Sequence, residues 1–356
     1  MDKIHSLENT ASIISNKAFL RLAEKTQVVF PKNGRVETVQ NRLTHSYEVA
    51  NSAHITEEAI RLPGLEIDYR FALHNTCLLH DCGHPPFGHE GAKLLDKRFK
   101  ALGLKEGFSD NNNNFIVIEK NQIPISDYTK ASLIKYPEKL YENQKDSLKR
   151  LLNLAIESDI RHFEKSVKIY KRPERTVACE IMDEVDRNCY VSSDLADCFS
   201  LGLSNEEPII KIIEEDKFFS QEIREFLLIV SEAIKNKDKS LIKRTFNSLK
   251  VMLSKNYYLG DNLKLVPINE ELIEVREALF KIETDIFIHS EEVLSQREEH
   301  LEYLNNYIDW VLEGNYPSRT YKKKIELAKT ETEKLQCIRN MIGETTDWYV
   351  VNFNNK

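Results

Sequence analysis

Six of the ten histidines fall between His45 and His89, and three of them, His80, His84 and His89, share the single stretch LLHDCGHPPFGHEG. His80 and Asp81 close an apolar run (Phe71, Ala72, Leu73, Cys77, Leu78, Leu79) that Gly83, Pro85, Pro86 and Gly88 then interrupt. The spacing predicts an imidazole and a carboxylate side by side at a helix end. Adjacent helical residues diverge by about 100°, yet both can reach one ion lying beside the helix. Imidazole nitrogen and carboxylate oxygen together suit Mn, Fe, Mg or Zn, with Zn placed last. A third ligand is offered by His45 in NRLTHSYEVA, where Leu43, Tyr47, Val49 and Ala50 predict another partly buried helix. A fourth is Asp186 in CEIMDEVDRNCYVSSDLADCF, which sets Asp183, Asp186, Asp194 and Asp197 among Ile181, Met182, Val185, Tyr190, Leu195 and Phe199. An ordinary surface helix has fewer apolar neighbours for its acids. Singly, each fragment reads as a hydrogen-bonded pair or a solvated face; in the order His, His-Asp, Asp they predict one metal centre.

The elements that must position these residues are helical. The 356 residues include only 11 Gly and 10 Pro, while Leu, Ile, Lys and Glu dominate, so the class is all-α. Ile210, Ile213, Phe218, Ile223, Phe226, Leu227 and Val230 recur near the helical period and predict a core-facing helical hairpin over 209–234. The same pattern over 270–289, behind Pro267 and with Asn269 as N-cap, predicts a further helix. The run Asn111 to Asn114 reads as a solvated loop, with a site-lining loop as the lesser alternative, and Lys322 to Lys324 as a solvated helix face. No linker-like stretch divides the chain. We expect residues 1–200 to carry the metal and nucleotide site and residues 201–356 to form a helical C-terminal extension packed on it, in one continuous domain. The six cysteines show no CxxC pair and predict reduced, buried thiols. A net charge of −7 disfavours sequence-independent nucleic-acid binding, leaving room for a local basic pocket. No apolar run approaches the ~20 residues of a spanning helix, and the opening MDKIHSLENTASIIS lacks a signal-peptide core, so the expected location is cytoplasmic, away from membranes. Phosphate-loop, dinucleotide-binding and nucleophile-elbow motifs are absent.

The order His45, His80-Asp81, Asp186 resembles that of the HD-domain metal hydrolases. The surrounding words resemble their deoxyguanosine triphosphate triphosphohydrolase (dNTP triphosphohydrolase) branch. They are AFLRLAEKTQVVF (18–30), NRLTHSYEVA (41–50), HDCGHPPFGHEG (80–91), YTKASLIKYP (128–137), EVDRNCYVSSDLAD (184–197) and IGETTDWY (342–349). The resemblance implies an all-α HD fold in which His45, His80, Asp81 and Asp186 hold a divalent metal that polarises the α-phosphate and acidifies an attacking water. A deoxynucleoside triphosphate would yield deoxynucleoside and triphosphate. Arg42 and Arg187 match cationic contacts to the phosphates. His84 and His89 match histidines beside the α-phosphate, with His89 the proton donor to the leaving 5′-oxygen. Gln27, Tyr190 and Asp194 match residues around the deoxyribose, reading its 3′-hydroxyl and crowding out a 2′-hydroxyl. Members of the family commonly form homo-oligomers.

Two positions depart from the family pattern. Where its members carry H-A-G-E, this chain has His89-Glu90-Gly91-Ala92, and where they carry F-E-G-N-A-Q it has Phe108-Ser109-Asp110-Asn111-Asn112-Asn113. Two assisting acids are thus replaced by Ala92 and Ser109. Either Glu90 and Asp110 substitute for them, or the reaction is weakened or altered. Glu90 stands two residues from position 92, a rotation of roughly 200° on a helix. Two alternatives follow: a catalytically impaired nucleotide-binding regulator, and an HD-type nucleotide phosphodiesterase, which would need none of Gln27, Tyr190 and Asp194.

Overall fold

The computed structural model describes residues 3–28, 40–60, 67–215 and 219–354. The resembling stretch 18–30 is therefore described only as far as Val28, and Phe218 of the expected hairpin lies outside the described residues. Among these residues are seventeen α-helices and two three-residue strands, Tyr257–Leu259 and Leu265–Pro267, paired antiparallel with Tyr258 opposite Val266. The all-α class expected from composition is the one found.

The helix Val177–Leu201 is the central post. Thr176 caps its start, accepting from the Cys179 amide at 3.1 Å, and Gly202, at φ 74°, lets the chain leave its end. Seventeen of its 25 residues are buried, which explains why its acids stand among apolar neighbours. The helices Arg42–Ile60 and Ile67–Leu79 pack against each other and against the first half of this post. Phe19, Leu22, Val49, Ala53, Leu73, Leu78, Phe115, Ile181, Met182 and Val185 form the apolar cluster beneath them. Each such side chain contributes about 1.5–3 kcal/mol when removed from water, so the backbone carrying the chemistry rests on a rigid floor.

The second half of the post is covered by later helices. Glu207–Glu215 and Gln221–Lys235 pack together where the hairpin was expected, and with Lys239–Ser254 and Glu270–Ile282 they bury Leu195, Leu227, Val230, Phe246, Leu249, Val275 and Leu279. Asn269 caps the last of these helices, accepting from the Glu271 amide at 2.9 Å, and a π-helical turn, Glu283–Ile288, continues it. A third cluster, including Leu95, Phe99, Leu304, Tyr307, Ile308, Ile342 and Val350, joins the helix Gly88–Ala101 to Glu291–Leu312, Glu331–Glu344 and Asp347–Asn354.

One expectation is corrected. Asn111 to Asn114 do not form a solvated loop: they make the first turn of the helix Asp110–Lys120, and Asn112, Asn113 and Asn114 are buried. Their amides bond main-chain groups some thirty residues away, a partnership that no local pattern reveals. Lys322, Lys323 and Lys324 lie exposed on the helix Arg319–Glu326, as read, and all six cysteines are free thiols, five buried and Cys337 partly so. Among the described residues no helix is long and apolar enough to cross a membrane.

Candidate active site

A cavity of about 720 Å³ opens where these packing units meet. On its floor, His45 Nε2 lies 2.9 Å from Asp186 Oδ1, while His80 Nε2 lies 3.4 Å from the same oxygen and 3.5 Å from Asp81 Oδ1. His45 stands one turn into its helix, His80 and Asp81 just beyond the end of theirs, and Asp186 midway along the central post. His80 Nδ1 donates to the Cys77 carbonyl at 2.7 Å, which turns Nε2 inward, where it is buried without a hydrogen-bond partner. Ligand atoms bonded at about 2.1 Å to one ion and at right angles sit about 3 Å apart, so this orphaned nitrogen among carboxylate oxygens fits a divalent cation.

The electrostatics favour that ion. Burial disfavours charge on Asp81 and Asp186, yet the adjacent His80, together with His84 and Arg42 for Asp81 and Lys135 for Asp186, holds both well below the usual carboxylate range. Burial also opposes a charge on His80, but Asp81 and Asp186 outweigh it and carry the imidazole up to about 9. A cation would take over the role of that proton. Burial, and then Arg42, push His84 down to about 4 even though its Nε2 lies 3.1 Å from Asp81 Oδ1.

Cations ring the floor. Arg42 is buried with Nη1 2.6 Å from Asp81 Oδ2, and Arg187 lies at the cavity with its side chain largely in solvent. Lys135 belongs with them: Nζ lies 2.7 Å from Asp183 Oδ1 and 3.4 Å from Asp186 Oδ2, facing the same space. It stands in the word YTKASLIKYP, where a lysine between Ile134 and Tyr136 carries no signal of its own. Gln27 and Tyr190 also line the cavity. Asp194 does not: it is buried behind the wall, where burial and then Glu283 raise its carboxyl well above the ordinary range, and burial likewise raises Glu283 to about 8. The far wall, including Phe280, Ile288, Val293, Gln296, Arg297 and His300, was not foreseen, because its residues are scattered over helices whose only sequence signal is periodicity.

The turn carrying the chemistry is latched from three directions. Asn114 Nδ2 donates to the His80 carbonyl at 2.7 Å and its Oδ1 accepts from the Gly83 amide, while Asn113 Nδ2 donates to the Gly83 carbonyl at 2.8 Å. Lys25, fully buried, donates through Nζ to the carbonyls of His84 and Gly343, the latter at 3.3 Å. Asp347, also fully buried, accepts from the Thr26 amide at 2.8 Å and the Phe87 amide at 2.9 Å.

The two departures have local explanations. Ser109 is the N-cap of the helix Asp110–Lys120, accepting from the Asn112 amide, and so sets Asp110 in the first turn. Asp110 Oδ2 then lies 3.4 Å from His89 Nδ1 and 3.7 Å from His84 Nε2. Ala92 packs against the cluster of Leu95 and Leu304, and Glu90 pairs with Lys93 at 2.8 Å.

Residues 42–155 match the HD domain family. This stretch is similar to HD domains. It contains His45, His80 and Asp81, with Asp186 supplied from beyond it. The chain is also similar to proteins named deoxyguanosinetriphosphate triphosphohydrolase-like protein 2 from Deinococcus radiodurans and Mesorhizobium japonicum. The first is 29% identical over 237 residues (55% of this chain, 53% of the relative), the second 31% over 219 (53% and 44%). A deoxyguanosinetriphosphate triphosphohydrolase-like protein from Wolinella succinogenes is 30% identical over 202 residues, or 55% of this chain and 50% of the relative. The chain spans about half the length of these curated relatives. The resemblance carried by the motifs is thus borne out by the match to the HD domain family and by relatives of that name.

Proposed function

We propose that the protein is a metal-dependent hydrolase of deoxynucleoside triphosphates, releasing deoxynucleoside and intact triphosphate after water attacks the α-phosphate. The observation that carries this reading is the convergence of His45, His80, Asp81 and Asp186 beneath a cavity of nucleotide size rimmed by Arg42, Lys135 and Arg187. Two imidazoles and two carboxylates would hold Mn, Mg or Fe, which when bound supplies Lewis-acid polarisation and a more acidic water. The protein's own groups do the rest. Arg42, steadied by Asp81, and Lys135, steadied by Asp183, meet phosphate oxygens near the floor, and Arg187 meets the outer phosphates at the rim. His84 borders the α-phosphate, and His89 at the mouth delivers a proton to the leaving 5′-oxygen. Gln27, whose Oε1 is buried without a partner, and the Tyr190 ring contact the deoxyribose, while Glu283 faces the Tyr190 hydroxyl from behind. A dGTP preference rests on the names of the relatives, and a homo-oligomer on exposed apolar side chains such as Leu228 and Ile229.

The test is to incubate purified protein with Mn²⁺ or Mg²⁺ and each dNTP, singly and mixed, and to assay for triphosphate by anion exchange, with Asp81→Ala alongside. Release of triphosphate from the wild type, reduced by on the order of 10³-fold or more in the variant, is expected. Tight dNTP binding without turnover would replace this reading by the nucleotide-binding regulator, and turnover of a cyclic dinucleotide instead would replace it by the phosphodiesterase.

A further inference from the structure

The chain lacks acids at positions 92 and 109, and the helix start at Ser109 supplies one at the next position, Asp110. Resting on the function proposed above, we propose that Asp110 is the positioning carboxylate for His89, fixing the imidazole as proton donor to the leaving group. The Asp110 carboxylate is divided between two tasks. Oδ1 accepts from the Asn111 amide at 2.8 Å and from Asn111 Nδ2 at 3.1 Å, which leaves Oδ2 to face His89 Nδ1 at 3.4 Å. With Nδ1 directed at Asp110, His89 Nε2 points away from it, and the ring stands at the mouth of the cavity with two thirds of its surface open to a substrate. The 3.4 Å separation is long for a bond in the free enzyme and is of the kind that tightens when substrate closes over it.

The position of Asp110 is itself over-determined. Ser109 caps the helix, Asn113 and Asn114 tie its first turn to Gly83 and His80, and Gly83 has no Cβ because the Asp110 carbonyl and Asn114 amide occupy that space. The other candidate, Glu90, is paired with Lys93, and the side chain at position 92 packs among apolar residues. Ser109 is therefore the cap that aims a relocated acid. In the reaction the bond from the α-phosphorus to the water oxygen forms as the bond to O5′ breaks. The electron pair goes to O5′, which takes the Nε2 proton of His89. The proton shed by the water passes to solvent, from which the imidazole is recharged, and Asp110 holds the Nδ1–H throughout.

A leaving-group comparison tests this. Asp110→Asn and His89→Ala are assayed with a dNTP and with its analogue bearing sulfur at the bridging 5′ position, whose thiolate departs without a proton. Both variants should lose on the order of 10²–10³-fold in kcat with the oxygen substrate, with KM changed by no more than about threefold, and both should lose less than about tenfold with the sulfur substrate. Asp110→Glu should recover part of the loss. Equal losses on the two substrates would overturn the proposal, as would an unimpaired Asp110→Asn. A wild type that binds two metal ions per chain and an Asp110→Asn that binds one would overturn it too, in favour of a second ion held by His84, His89 and Asp110, whose ligand atoms lie within 4.8 Å of one another. Nitrogen NMR of histidine-labelled protein gives an independent readout: neutral His89 should carry its proton on Nδ1 in the wild type and redistribute it in Asp110→Asn. A wild type that hydrolyses no dNTP sinks the proposed function and the proton-donor role with it, while the tautomer still decides whether Asp110 holds the ring.

Discussion

Replacing Asp347 by Asn should cost about 2–4 kcal/mol of stability, a figure that follows from its surroundings. The carboxylate is fully buried and each oxygen accepts one main-chain N–H, from Thr26 at 2.8 Å and Phe87 at 2.9 Å. Hydrogen bonds to a charged acceptor contribute about 1.5–3 kcal/mol each. The amide of Asn keeps one of them in weaker, neutral form and turns an NH₂ group toward the other donor, leaving a buried N–H unsatisfied at about 1–3 kcal/mol. With a denaturant slope of about 3 kcal/mol per molar urea, the unfolding midpoint followed by far-ultraviolet circular dichroism should fall by roughly 1 M. Activity should fall further than stability, because the two amides belong to the segments that deliver Gln27 and His89 to the cavity. A midpoint within about 0.2 M of wild type would refute the reasoning, since it would mean that the two bonds contribute nothing net.

Two further outcomes follow. Gly83→Ala should abolish metal binding, measured by elemental analysis of soluble protein, because a Cβ there overlaps the Asp110 carbonyl and the Asn114 amide; full metal content would show that the turn can move. Asp159 accepts from the Tyr128 hydroxyl at 2.6 Å and the Val177 amide at 2.8 Å, but burial outweighs both and raises its carboxyl to about 7. Unfolded, it titrates near 3.9, so the folded state binds more protons between those values and stability falls as pH rises through that window. Between pH 5 and 7.5 the wild type should lose roughly 2–3 kcal/mol relative to Asp159→Asn by urea titration, and parallel pH dependences of the two proteins would contradict this.

The parts of the site legible in the sequence are those whose signal is local. His80 and Asp81 announce themselves because an apolar helix stops at Gly83 and two prolines, and Asp186 because a helix with that many acids is otherwise apolar. What the sequence hid depends on partners far along the chain. Asn113 and Asn114 look like low-complexity solvent-facing residues until their amides are seen to bond the carbonyls of Gly83 and His80. Glu90 and Asp110 were named together as substitutes for the missing acids, and that Asp110 faces His89 while Glu90 pairs with Lys93 depends on which way a capped helix points. Asp194 shares its helix with Asp186, yet the turn of that helix takes it behind the cavity wall beside Glu283. Lys25 and Asp347 stand inside the words 18–30 and 342–349, but nothing local marks them as buried, since a buried lysine or aspartate looks from sequence like any exposed one.

The latch between Thr26, Phe87 and Asp347 also orders events during synthesis. At about 5–20 residues per second, the ribosome needs roughly ten to fifty seconds to travel from residue 87 to residue 347. Throughout that interval the ligand-bearing helices exist without the carboxylate that ties their connecting segments together, and Lys25 exists without the Gly343 carbonyl. Until then the nascent chain carries their connecting turn untied, and before residue 308 is added it also leaves Leu95 and Phe99 uncovered by Leu304, Tyr307 and Ile308. The turn that bears His80 and Asp81 is fully tied only once residue 347 has been added.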